Sequence, residues 1–314
     1  MGRVVVARLL ALIPLLLVAS FVAFLLVQMA PTDPAVVRLG ETATEEAYEA
    51  YREEIGLNRP IIVQYVDWLA GAVTGDFGES WQNGASVSEL LSRRLPVTLS
   101  LTVGSLIVGL LIGVPAGIAA GIRAGKPSDS LITGGASIGQ AVPNFWMALI
   151  LVAYVALPFD VFPAIGYSSL SEGVGDWALS IALPSIALGS AAAAAIARQT
   201  RAGFVRVLHE PYVRTAVAGG LSRRRILMRT SLRNASIPLI TTVAAQASIL
   251  IGGSVIVEQV FALPGMGQLV LNAIRNGDMP IVMGFVALTA VTMALVQLLL
   301  DLGYAALDPR VRSA

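Results

Sequence analysis

Residues 198–234 read RQTRAGFVRVLHEPYVRTAVAGGLSRRRILMRTSLRN, with nine arginines against the single acid Glu210. The stretch begins in the last turns of one apolar run, Ile181–Gly203, and leads into another, Ile237–Val257. A dense basic segment between two such runs is the pattern of membrane helices joined on the side where Lys and Arg are retained. The loop itself is structured. Pro211 suits the first turn of a short helix that stops at Gly219 and Gly220, and Ser222 can cap a second helix leading into the next run. The short helix is amphipathic, with Val213, Ala216 and Val217 on one side and Arg214 on another. Lipid headgroups would attract such a helix, and so would a soluble partner.

Working outward, the rest of the chain has the composition that this loop requires. Of 314 residues, 56% are hydrophobic and only 13% charged, against about 25% charged in a soluble domain. Six apolar runs are long enough to span a bilayer: Leu9–Ala30, Pro96–Gly121, Leu131–Leu157, Ile181–Gly203, Ile237–Val257 and Ile281–Leu300. The first is too long for a secretory h-region and has no convincing cleavage site before Pro31, so it is expected to be retained. The N-terminus, the 122–130 connection, the 198–234 segment and the tail together hold 15 of the 21 basic residues. Among acids they hold only Asp129, Glu210, Asp301 and Asp308. Both termini are therefore expected in the cytoplasm.

The chemistry available is narrow. With no Cys and only His209, disulfides, Fe–S clusters, thiolate zinc sites and clusters of imidazole ligands are excluded. No ionisable residue sits near the middle of a span, which argues against proton or ion coupling. The only Lys, Lys126, is followed by Pro127 and has Ala120 where a P-loop needs its first Gly, so the chain holds no nucleotide site. Uphill transport must draw its energy from a partner. An intramembrane hydrolase lacks its motifs: Glu210 follows His209 without a second His, and no Gly-x-Ser-x-Gly occurs. A nucleotide-independent secondary transporter or channel stays open as an alternative.

Three divisions follow: 1–30 as N-terminus and first span, 31–95 as an external helical segment, and 96–314 as a core permease domain with its coupling loop at 204–234. The 31–95 segment holds eleven acids and five arginines. In it Thr44–Ile55 reads as a helix stopped by Gly56, and a second helix starts near Asn58 and Pro60 with an apolar stripe of Ile61, Ile62, Tyr65, Trp68 and Leu69. Either a cap over the first two spans or a docking surface for an external partner fits this composition. Gly109, Gly113, Gly117 and Gly121 share one face of the second span, where a neighbouring helix can approach closely. Pro115 is expected to kink that span. Gln140, Gln246, Gly252 and Gly253 are the candidates for a polar or narrow point in a translocation path, with helix packing as the competing reading.

At the loop the chain becomes recognisable. Arg214-Thr215-Ala216 followed by Gly220 resembles the Glu-Ala-Ala-x-x-x-Gly signature of importer permeases of the ATP-binding cassette class. The string Tyr212 to Ala216, then Gly220-Leu221-Ser222, then Leu232-Arg233-Asn234-Ala235 and Ile237-Pro238, resembles the first-permease branch of the dipeptide/oligopeptide (and nickel) transport family. The likeness extends over nearly the whole length. It takes in Ala30-Pro31 with Asp33-Pro34, Gly56-Leu57-Asn58-Arg59-Pro60, and Gly75-Asp76-Phe77-Gly78 with Ser80. It continues through Arg94 to Leu99, Glu258 with Phe261, Pro264-Gly265 and Gly267, and Ala306 to Arg310. Two departures from the general signature, Arg214 in place of Glu and the proline delayed to Pro238, are habitual in the peptide branch.

The resemblance implies an all-α polytopic subunit of a bacterial plasma-membrane importer. A second homologous permease chain, two ATPase subunits carrying ATP and Mg2+, an external substrate-binding protein and membrane lipid would be its partners, with no cofactor in this chain and no nucleic acid. It implies that Pro211, Tyr212, Val213, Arg214, Thr215, Ala216, Gly220 and Leu221 couple to the ATPase. Tyr212, Val213 and Leu221 would fill its groove, Arg214 would bridge its rim, and the glycine pair would allow close backbone approach. Di- or oligopeptides are the expected cargo, with nickel chelates, glutathione, haem and sugars carried by similar permeases.

Overall fold

The computed structural model describes residues 2–29, 33–222, 225–226 and 232–307, with side chains over 13–29, 33–222, 225–226 and 238–299. The strings at Ala30-Pro31 and Asp308-Pro309-Arg310 lie outside these residues. Among the described residues the chain is helical apart from one isolated β-bridge, Glu79 with Ser86. The helices are α1 Gly2–Gln28, α2 Pro34–Leu39, α3 Glu45–Glu54, α4 Ile61–Val73, α5 Val87–Ile122, α6 Pro127–Ala141 and α7 Asn144–Leu151, the last continuing as a π-helical turn Val152–Ala156. They are followed by α8 Val174–Leu208, α9 Pro211–Ala218, α10 Leu232–Val260, α11 Met266–Asn276 and α12 Met279–Leu307.

Four stretches are long and apolar enough to cross a membrane: α5, α8, Pro238–Val260 of α10 and Met279–Leu299 of α12. The first run forms α1, whose described apolar part is Ile13–Gln28. The third run is broken, because α6 and α7 meet at 95°. Pro143 supplies the reason: it forces Val142 out of the helical region, to φ −74° and ψ 121°, and the chain restarts as α7 with Pro143 at its cap. Pro115, by contrast, lies inside α5 without ending it.

The chain divides into two compact units. The first comprises Gly2–Thr98 with Pro264–Leu295. Its N-terminal helices are set by strong local signals. Asp33 caps α2 through the N–H of Ala35, with Pro34 at N1, and Thr44 caps α3 through the N–H of Ala47. α3 then ends before Gly56, which takes φ +73°. Arg52 on α3 pairs with Asp33, Glu45 and Glu49, and α4 is held to α1 by Tyr65, whose hydroxyl lies 2.9 Å from Ser20 Oγ. The short α2 escapes a reading by periodicity, although the Asp33-Pro34 pair marks its start. Later in the chain, Asp278 accepts hydrogen bonds from Ser80 Oγ and from the N–H of Trp81 (3.0 Å), and Val87, Leu91, Met266, Ala273 and Ile281 form a buried cluster.

The second unit comprises Leu99–Leu263 with Val296–Ala314, and α8 is its centre, packed against α6, α7 and α10. α5 meets α8 along the glycine face. A Cβ at Gly113 would stand 2.5 Å from the carbonyl oxygen of Ala193, one at Gly117 2.4 Å from that of Ala197, and one at Gly121 2.7 Å from Phe204 Cβ. The partner is itself small there: Gly189 lies against the backbone of Ser105, and Ala192, Ala193 and Ala197 are buried. Two backbones come close enough for dispersion to hold them together where lipid offers no hydrophobic driving force.

Candidate functional site

The basic loop folds onto the end of the second unit. α8 stops at His209, Glu210 takes an extended conformation, and Pro211 starts α9. At its other end α9 closes with a Schellman motif: Leu221 N–H donates to Ala216 O (3.1 Å) and Gly220 N–H to Val217 O (3.0 Å), with Gly220 at φ +77°. Nothing of this chain lies within 4 Å of a Cβ at Gly220. The glycine is needed for its left-handed backbone. Ser222 then accepts from the N–H groups of Arg225 at its Oγ (3.4 Å) and Ile226 at its carbonyl (3.1 Å), as a helix cap does. Arg223, Arg224, Arg229 and the side chains of Leu232–Ile237 lie outside the described residues.

The faces of α9 differ from the sequence expectation. Val213 is 5% exposed and clusters with Phe204, Val207 and Ile226, with Ile118, Ile122 and Ala216 packed around them. It is taken up by its own chain and does not project into a partner. Val217, expected on the same side, is 61% exposed and is not among the residues of that cluster. Tyr212 and Leu221, together with Arg214, Thr215 and Pro211, also lie on the exposed surface. The result is an apolar and cationic ridge standing on an apolar root, and the root ties it to the last turns of both α5 and α8.

A second anchor lies beside it and was missed from sequence. Asp129, 5% exposed, receives Nε (2.5 Å) and Nη2 (2.6 Å) of Arg201, the N–H of Gly125 (2.9 Å) and the hydroxyl of Thr133 (3.2 Å). Fork-on-carboxylate geometry is both strong and directional. It fixes the start of α6 to α8 two turns before α9 begins. The only signal was a lone acid in a basic connection, and the 72-residue separation hid its partner.

The four path candidates differ in their exposure. Gln140 is exposed at the end of α6, just before the bend, and Gln246 is half-buried in α10. Gly252 is exposed with open space around it, whereas a Cβ at Gly253 would stand 3.5 Å from Leu188 and 3.8 Å from Asn144.

Known proteins share this arrangement. Residues 113–313 match the family described as binding-protein-dependent transport system inner membrane component, and residues 1–102 match its N-terminal membrane-component family. Over 312 residues the chain is 39% identical to the probable peptide ABC transporter permease protein y4tP of Sinorhizobium fredii, covering 99% of this chain and 100% of that one. It is 37% identical to the oligopeptide transport system permease protein AppB of Bacillus subtilis, covering 99% of each. With the glutathione transport system permease protein GsiC of Escherichia coli the figures are 36% and 98% of each. In structure the chain is similar to one from the MetNI methionine ABC transporter in an inward-facing conformation, at TM-score 0.54 and 20% identity, covering 70% of this chain and 96% of that one. Full-length identity at this level together with matches over both segments makes this a translocation subunit and not an enzyme: the chain belongs to the family of binding-protein-dependent transport system inner membrane components.

Proposed function

We propose that this chain is the first permease of an ATP-driven importer of short peptides, with both termini and α9 in the cytoplasm and the 31–95 segment outside. The observation that carries the reading is the exposed ridge of α9 on its buried root. A groove on an ATPase subunit would receive Tyr212, Val217 and Leu221, with Arg214 at the rim. Val213 and Ala216 hold the ridge to its own chain. When ATP draws two ATPase subunits together, a push on α9 passes through Val213 to the ends of α5 and α8. Through Arg201 and Asp129 it also reaches α6. Three spans would thus move with one helix. A second permease would complete the passage, an external binding protein would deliver cargo, and Gln140, Gln246, Gly252 and Gly253 are retained as candidates for lining the path. Peptide cargo is supported by the names of y4tP and AppB. The name of GsiC favours glutathione as a second reading, and glutathione is itself a tripeptide.

Because the chain has no Cys, Val217→Cys gives a single labelling site on the ridge. Maleimide labelling should be rapid in the isolated chain, suppressed in a complex copurified with ATPases, and altered again by ATP. Equal labelling in all three states would remove the coupling assignment.

A further inference from the structure

The first unit holds a cavity of about 450 Å³ among the ends of α1 to α4, the 77–84 turn and the start of α12. That is within the roughly 300–1,000 Å³ usual for small-ligand sites. Its walls combine aromatic faces, Tyr51, Trp68, Phe77 and Trp81, with charges of both signs, among them Arg38, Glu54 and Glu79. The other arginines nearby are occupied: Arg52 by Asp33, Glu45 and Glu49, and Arg59 by Asp67 at 3.1 Å. Among the described residues Arg38, Glu54 and Glu79 make no ion pair. Arg38 is given its place by Gly84, where a Cβ would stand 2.9 Å from its Nη2. The half-buried Tyr51 lies within electrostatic reach of Arg38, Glu54 and Glu79, and burial pushes its phenol above the usual value, so it stays a hydrogen-bond donor. Trp68 lines the same wall with its ring, and its Nε1 is buried without a partner among the described residues.

A cation, two carboxylates, one phenol donor and aromatic walls in one small cavity are complementary to a molecule that carries both charges itself. We propose that the cavity binds a short zwitterionic peptide, its terminal carboxylate on Arg38 and its terminal ammonium toward Glu54 and Glu79. Tyr51 would donate to a carbonyl between, and Trp68 would offer its ring face. This extends the proposed peptide cargo to a second place on the chain and rests on that reading.

Trp68 and Trp81 line the cavity, so tryptophan fluorescence of the full chain in nanodiscs, without binding protein or ATPases, reports occupancy directly. Trialanine should bind. N-acetyl-trialanine and trialanine amide should each bind at least about tenfold more weakly, since each lacks one charge-assisted contact. Arg38→Gln should weaken trialanine by a similar factor and erase the difference between trialanine and its amide, whereas Arg38→Lys should keep that difference and so report on folding. Three peptides binding alike, no effect of Arg38→Gln, or no trialanine binding at all would overturn the site. A chain that supports peptide uptake in its assembled transporter but binds no trialanine loses this site only. One that binds trialanine yet supports no uptake loses the transport reading instead.

Discussion

Gly117→Ala and Gly134→Ala are the same substitution in two membrane helices and should have opposite effects. At Gly117 the new Cβ would stand 2.4 Å from the carbonyl oxygen of Ala197 and 2.5 Å from Thr200 Cβ, whereas ordinary contact begins at 3.4 Å. Neither neighbour is the end of a flexible side chain, so α5 and α8 must part by about 1 Å at that level. A gap of that size forfeits roughly a quarter to a half of each contact along the seam. Overpacking of this kind costs about 1–3 kcal/mol, offset by the roughly 1 kcal/mol by which Ala exceeds Gly in helix propensity. The net is a loss of up to about 2 kcal/mol. At Gly134 nothing lies within 4 Å, so only the propensity gain remains, up to about 1 kcal/mol. At about 2–4 °C for each kcal/mol, thermal unfolding of the two purified variants in one detergent should place their apparent Tm values up to roughly 10 °C apart, with Gly117→Ala below Gly134→Ala. Shifts of one sign and similar size would refute the close-packed α5–α8 seam.

The α9 root and ridge should separate in experiment. Val213→Ala should cost about 1–2 kcal/mol of stability, measurable by detergent unfolding. Val217→Ala should leave stability unchanged while reducing copurification of ATPase subunits. Asp129→Asn should destabilise by about 1–3 kcal/mol, discounted because Arg201 is a third exposed, and should slow peptide-stimulated ATP hydrolysis. Replacing both partners with apolar residues should recover stability more than coupling. In the N-terminal unit the Arg52 guanidinium beside Asp33 holds its carboxyl below the usual range. A lowered folded-state value stabilises above the unfolded value, near pH 4, and that contribution disappears as pH falls through the folded one. Cleavage of 33–59 by an acid-active protease should therefore rise below about pH 4 in the parent, and Asp33→Asn should remove that pH dependence.

Composition and local chemistry determined much of this protein. The apolar runs, the uneven placement of Lys and Arg, the helix stopped before Gly56, and a short helix opened by Pro211 and closed by Gly219 and Gly220 are all set by residues within a turn or two of one another. The motif strings singled out the 198–234 loop for the same reason, because its fold is local. Tertiary structure decided which glycines are packed: the row from Gly109 to Gly121 meets α8, while Gly134, Gly135 and Gly139 face open space, although both sets look alike in a helical projection. It also turned Val213 inward and Val217 outward, joined Asp129 to Arg201, and grouped Pro264–Leu295 with the N-terminal residues through Asp278 and Ser80. Each of these depends on which distant segment fills the space beside a residue, and periodicity along one helix carries no information about its neighbour.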